Sequence, residues 1–165
     1  MSGGSMTVNE GPIFFVTNTN GTITVSGVKL SGSSGVLLSA TTDRWGNSGS
    51  NGGRAILNAD HQQLPGDMVV GGANSSINAT LKNSSTLDGA IQGATLTLDA
   101  SSKWIVKSDS KLVGLSDQAG LSGDSFTNIV GNGHTVTYKA SEKLNSWLGG
   151  KNYSLAGGGK LVPEN

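Results

Sequence analysis

The chain has 165 residues, a length suited to one domain. Glycine, serine, threonine and asparagine supply 77 of them, and charged residues only 13%, with eleven basic and eleven acidic side chains that cancel. That balance argues against a nucleic-acid partner, which needs a basic surplus, and 35% apolar residues without net charge argue against disorder. The lack of cysteine excludes a disulfide framework, a thiolate zinc site and a cysteine nucleophile.

Residues 1–6, Met-Ser-Gly-Gly-Ser-Met, read as an appended leader with a second start. No apolar run approaches the ~18 residues of a membrane span, and no secretion signal is recognisable. From Ile13 onward, short β-prone runs alternate with Gly, Asn and Ser: Ile13–Val16, Thr22–Val25, Gly35–Leu38, Ala55–Leu57, Met68–Val70 and Ile77–Leu81. Thr95–Leu98, Trp104–Val106 and Thr135–Tyr138 continue the series. Several alternate with period two, which is the strand signal, and no helix of ten residues is indicated before position 140. The expected class is all-β.

Leu64-Pro-Gly-Asp-Met-Val and Leu87-Asp-Gly-Ala-Ile share a pattern of Leu, any residue, Gly, any residue, then apolar residues. Each follows an apolar run at a similar offset, and Thr95–Leu98, Trp104–Val106 and Leu112-Val113 fit as one more copy. A degenerate repeat of roughly 17 to 24 residues with three short strands predicts a right-handed parallel β-helix, residues 7–140 forming its coils. Asn20-Gly21, Asn51-Gly52 and Asn132-Gly133 are equally good hairpin turns, so an antiparallel β-sandwich is the alternative. Residues 141–165 are expected to cap the stack. There Ser141 is a candidate N-cap, Leu144, Trp147 and Leu148 share one helical face over two turns, and Gly149 closes the helix.

Three stretches carry a resemblance: Gly11–Thr19, Asp43–Gly53 and Leu98–Ser110, the last a Trp strand after an Asp-containing corner. They resemble coils of parallel β-helix segments in bacterial surface proteins of the adhesin or autotransporter-passenger type. The resemblance spans most of residues 11–162 and rests on structural repeats. It implies an extracellular or cell-surface module without enzymatic activity, serving as adhesin or stalk, with glycans or host matrix proteins as partners and no cofactor.

Many parallel β-helices degrade polysaccharides, so the carboxylates and basic residues are the first catalytic candidates. A glycosidase needs two clustered carboxylates, and the aspartates here fall singly at corners, Asp67 and Asp88 being the one pair at near-equivalent repeat positions. A lyase needs basic groups and usually calcium ligands, yet Arg44 and Arg54 are the only arginines. Gly131-Asn-Gly-His134 is similar to the glycine-histidine element of polygalacturonases, but the accompanying aspartates and Arg-Ile-Lys element are missing. His61 and His134 lack a third metal ligand, and no serine nucleophile motif accompanies them.

The Gly46–Gly53 loop lacks the Lys-Ser/Thr of a phosphate loop. Its functional reading is ligand contact, with Trp45 stacking on a sugar and Asp43, Arg44 and Asn47 bonding hydroxyls; the plain reading is that Trp45 covers a corner. Asn20, Asn74, Asn78, Asn83 and Asn152 open glycosylation triplets at about the frequency chance provides. An ice-binding solenoid is a further alternative. Thr22/Thr24, Thr95/Thr97 and Thr135/Thr137 match its Thr-X-Thr pattern, while Ala55–Leu57 and Met68–Val70 interrupt it. The strand-forming run near the N-terminus has no helical cap before it, so self-association through an N-terminal coil edge is expected.

Overall fold

Apolar side chains that alternate with Ser, Thr and Asn can bury one face of an extended strand and hydrate the other. Strand Arg54–Asp60 does this literally: Ala55, Leu57 and Ala59 are buried, and Arg54, Ile56 and Asp60 are exposed. Strand Ser76–Lys82 repeats it with Ile77, Ala79 and Leu81. The computed structural model, which describes residues 1–164, is all-β; its helices are two short 3-10 segments, Gln118–Gly120 and Lys143–Leu148.

The strands stand in three parallel ladders. The first runs through Phe14–Thr17, Val36–Thr41, Asp67–Val70, Ile91–Leu98, Ser110–Ser116, Thr135–Lys139 and Lys160–Glu164. The second takes Asn20–Ser26, Arg54–Asp60 and Ser76–Lys82, and then the later residues of Ile91–Leu98 and Ser110–Ser116. The third holds Gln63–Pro65, Thr86–Asp88, Lys103–Ile105, Ser125–Val130 and Tyr153–Ala156. A separate parallel pair, Ser5–Val8 with Lys29–Gly32, stands apart from it. The ladders share strands without closing on themselves.

Register puts like on like. Leu64 lies opposite Leu87, and Leu87 opposite Trp104. Ile23, Leu57, Ala79, Leu96 and Leu115 follow one another across the second ladder. Leu38 faces Met68, and Met68 faces Ile91. These columns merge into one apolar cluster, and most of its members are fully excluded from water. Trp104, the largest, also donates its indole N–H to the Gly89 carbonyl at 2.9 Å, so its one polar atom is satisfied. Ser110 takes an inward position at the cost of no orphan group. Its hydroxyl accepts the Ile91 N–H and donates to the Ser108 carbonyl.

Several expectations need correction. Asn20-Gly21 is no turn but the start of a strand, with Gly21 opposite Ala55. Asn51-Gly52 leads into the parallel strand Arg54–Asp60. Asn132 and Gly133 do turn the chain with positive φ, but the strands they join pair with other strands and not with each other. Among the described residues, antiparallel pairing is confined to Leu121–Ser122 with Ser125–Val130, and to Tyr153–Ala156 with Lys160–Glu164.

The first residues belong to the fold. Ser2 bridges Ser26, the Gly3 N–H bonds the Ser26 carbonyl, and Met6 lies opposite Leu30. At the other end, the helix is a 3-10 segment starting after Glu142 rather than an α-helix capped by Ser141, and no side chain caps it. Gly149 ends it in the left-handed region as its sequence position suggests. Leu148 is buried, whereas Leu144 is 41% exposed: a three-residue turn does not align positions 144 and 148 on one face. Residues 141–164 also contribute the last strands of two ladders, so they are continuous with the stack they cover.

Candidate functional site

Residues 42–53 form the long excursion between Val36–Thr41 and Arg54–Asp60. Its neck is narrow. The Gly53 N–H bonds the Thr41 carbonyl at 2.9 Å, and a Cβ on Gly53 would collide with the Val16 carbonyl oxygen. Three asparagine amides hold the loop above that neck. Asn18, itself at positive φ, accepts the Asp43 N–H at 3.0 Å and donates to the carbonyls of Asp43 and Trp45. Asn51 donates to the same two carbonyls at 3.1 and 2.8 Å, and Asn74 donates to the Gly49 carbonyl at 3.1 Å.

This network distributes the four candidate residues unequally. Asp43 is partly occupied, because one carboxylate oxygen accepts the Arg44 N–H at 2.7 Å. Asp43 and Arg44 line a shallow depression of about 390 Å³ together with Thr42, Ser48, Asn51 and Asn74. Trp45 lies outside that lining, 51% exposed, with its carbonyl anchored. Asn47 does not line the depression either; its carbonyl accepts the Ser50 N–H and hydroxyl. Asn18, Asn51 and Asn74, absent from the expected site, are what shape it. Their sequence signal is no more than asparagine beside a corner, a position at which asparagine usually bonds backbone.

Comparison with protein families, curated proteins and solved structures finds no match.

Asp67, Asp88 and Asp109 are engaged in the framework. Asp67 and Asp88 do not stack, since Asp88 lies opposite Pro65 and Asp67 opposite Val36. Asp67 accepts the Ala90 N–H at 2.7 Å, and Asp88 pairs with Lys107 at 2.9 Å. His134 Nδ1 lies 3.6 Å from a carboxylate oxygen of Asp109 that already accepts the Thr135 N–H. Among the described residues, no three His, Asp or Glu side chains gather as a metal site. Among the described residues no helix is long and apolar enough to cross a membrane.

The threonine pattern also resolves into register. Thr24, Asn58, Thr80, Thr97 and Ser116 succeed one another across the second ladder, as do Thr22, Ile56, Asn78, Thr95 and Gly114. Met68–Val70 belongs to the first ladder and therefore does not interrupt this face. Ile56 does interrupt it, and Leu144 packs over Gly114 at its far end. Thr135 and Thr137 stand in the first ladder, away from the other pairs.

Proposed function

We propose that the chain is a right-handed parallel β-helix acting as a non-enzymatic surface module, adhesin or stalk, that contacts glycans through residues 42–53. The observation that carries the reading is Trp45: a half-exposed indole on a polar loop whose backbone is tied down by Asn18 and Asn51. An aromatic ring held in place loses little freedom when a sugar stacks on it, and Asp43 and Arg44 beside it can bond hydroxyls. Parallel pairing at regular intervals supports the β-helix, and the strong preference of parallel crossovers for one hand supports its right-handedness. Such an architecture gains length at constant cross-section, which suits holding a contact region away from a surface. Engagement of Asp67 by a backbone N–H and of Asp88 by Lys107 supports the absence of catalysis.

Glycan-array and host-matrix binding of the wild type and Trp45→Ala tests the reading. The expected outcome is a loss of at least tenfold, about 1.4 kcal/mol, with thermal stability unchanged. Equal binding by both proteins, or none by either, removes the loop and leaves the stalk alone.

A further inference from the structure

Two buried oxygens on neighbouring side chains have no hydrogen-bond partner among the described residues: Oδ2 of Asp117 and Oδ1 of Asn128. The side chains themselves are joined. Asn128 Nδ2 donates to Asp117 Oδ1 at 2.9 Å and to the Ser102 carbonyl at 3.3 Å. Those two acceptors fix which end of the amide is nitrogen, because the reversed group would set its oxygen against both. Asp117 is 1% and Asn128 6% exposed, so neither orphan reaches water unless the chain moves.

One proton can satisfy both orphans. A carboxylic acid accepts through one oxygen and donates through the other, and a primary amide offers the matching N–H and C=O. The bond from Asn128 Nδ2 is half of such an acid–amide pair. The pair stands at the root of a short excursion. Residues 117–124 leave strand Ser110–Ser116, make the 3-10 turn Gln118–Gly120, and return through Leu121–Ser122 antiparallel to Ser125–Val130. Gly120 is buried against the Asn128 amide, where a Cβ would collide with Oδ1. Its carbonyl accepts the Thr127 hydroxyl at 3.1 Å, and Leu121 lies opposite the fully buried Phe126. Gln118, Ala119 and residues 122–124 are exposed.

We propose that a proton on Asp117 Oδ2, donated to Asn128 Oδ1, latches residues 117–124 onto strand Ser125–Val130, and that its loss to water releases them and uncovers Phe126. An ionised Asp117 would hold a bare, buried carboxylate oxygen beside the amide oxygen, and lifting the excursion is the short route to water. The charged and titratable groups on the surrounding elements do not offset that charge. Lys103, Lys111 and Asp124 are exposed, Asp99 is bonded to Asn83 and Ser101, and Tyr153 donates to the Leu148 carbonyl. Burial is what raises the Asp117 pKa, against weaker opposition from Asn128 and Gly120. The latch acts whether or not residues 42–53 bind a ligand.

Native-state hydrogen exchange of the full chain, read by NMR, tests this. Protection at the Gly120 and Leu121 amides, corrected for intrinsic exchange, should fall at least tenfold as pH rises from the ordinary 3.8 to about 6 and level off above. Low urea should barely change exchange at these two amides and should speed it steeply at Leu57 in the second ladder, since a local opening exposes little surface. Asp117→Asn should keep the acidic protection at every pH, because the introduced amide N–H replaces the acid O–H. Protection that stays flat with pH overturns the proposal, as does a wild-type pH response in the variant. A urea response at Gly120 equal to that at Leu57 overturns the local release. The Asp117 carboxyl carbon of the wild type should titrate well above 3.8, and titration at 3.8 overturns the latch even if the variant fails to fold.

Discussion

Asp117 shows how one buried carboxyl can set the pH response. It is 1% exposed, accepts the Asn128 side-chain N–H at 2.9 Å, and its other oxygen has no partner among the described residues. Burial pushes its pKa up to about 6, against the weaker opposing hydrogen bonds from Asn128 and Gly120. The folded state therefore keeps a proton that the unfolded chain releases near pH 3.8, and the stabilisation present below that value is lost as pH rises to about 6. Two pH units correspond to about 3 kcal/mol. Asp99 works the other way. Burial opposes its ionisation, but the Asn83 N–H and the Ser102 and Ser101 donors outweigh it and hold the carboxyl at about 2. Its contribution is present above pH 3.8 and is lost as pH falls toward 2. Urea midpoints across this range should pass through a maximum near about pH 4. In Asp117→Asn the decline on the alkaline side should disappear while the acid side stays. At Gly89 the constraint is steric: a Cβ would collide with the Gly66 carbonyl oxygen, a backbone atom. Gly89→Ala should cost about 2 kcal/mol in chemical denaturation, with Gly123→Asn, at φ +60° in open space and so without the clash, as the milder comparison.

The C-terminal 3-10 helix acts through side chains more than through its own backbone. Strand Thr135–Lys139 covers Ser110–Leu112 and then ends, leaving Val113–Leu115 with an open edge. Asn145, 1% exposed, closes it by accepting the Leu115 N–H at 2.8 Å and donating to the Val113 and Lys139 carbonyls at 2.8 Å each. Trp147 adds a bond to the Leu115 carbonyl at 2.9 Å and sets its ring edge-on to Phe126. Gln62 makes the same substitution of side-chain amide for strand on the third ladder. Asn145→Ala leaves the buried Leu115 N–H and two part-buried carbonyls without this partner and should cost about 2 to 3 kcal/mol. Asn145→Asp should recover only the bond to Leu115, because a carboxylate cannot donate to the two carbonyls. Equilibrium unfolding of the two variants separates capping from packing. The sequence indicates the end of the helix at Gly149 but not its 3-10 form, and Asn145 gives no sign there, since its value depends on an edge formed some thirty residues earlier.

The two ends of the whole molecule differ. At the C-terminal end Leu148, Tyr153 and Leu155 are buried. At the other, Met6, Val8, Phe14 and Ile23 occupy inward ladder positions yet remain only partly buried, and Phe15 is 55% exposed. Strands Ser5–Val8, Phe14–Thr17 and Asn20–Ser26 contain no charged side chain, and only the end of the last is covered, by residues 1–3 and the terminal ammonium on the Thr24 carbonyl. A second copy meeting this end would bury those side chains and pair those edges. Sedimentation velocity at rising concentration should show a dimer, and Phe15→Lys should shift it toward monomer. A sharp monomer at high concentration would count against this end as an interface.

Local patterning alone determined that this protein is all-β and that Leu64 and Leu87 occupy equivalent places. Those properties follow from side-chain alternation and from spacing along the chain. It also pointed to the exposed Trp45 and the turn at Gly149. Only the tertiary structure decided that Asn20-Gly21 lies within a strand, that Met68–Val70 and the pairs Thr22/Thr24 and Thr95/Thr97 stand in different ladders, and that residues 1–6 pair with the fold. It likewise decided that the Gln62 side chain bonds Val28. The physical reason is that parallel strand partners here lie some 17 to 34 residues apart, and a hydrogen bond depends on which chain segment arrives beside the edge. The residues on either side do not encode that arrival.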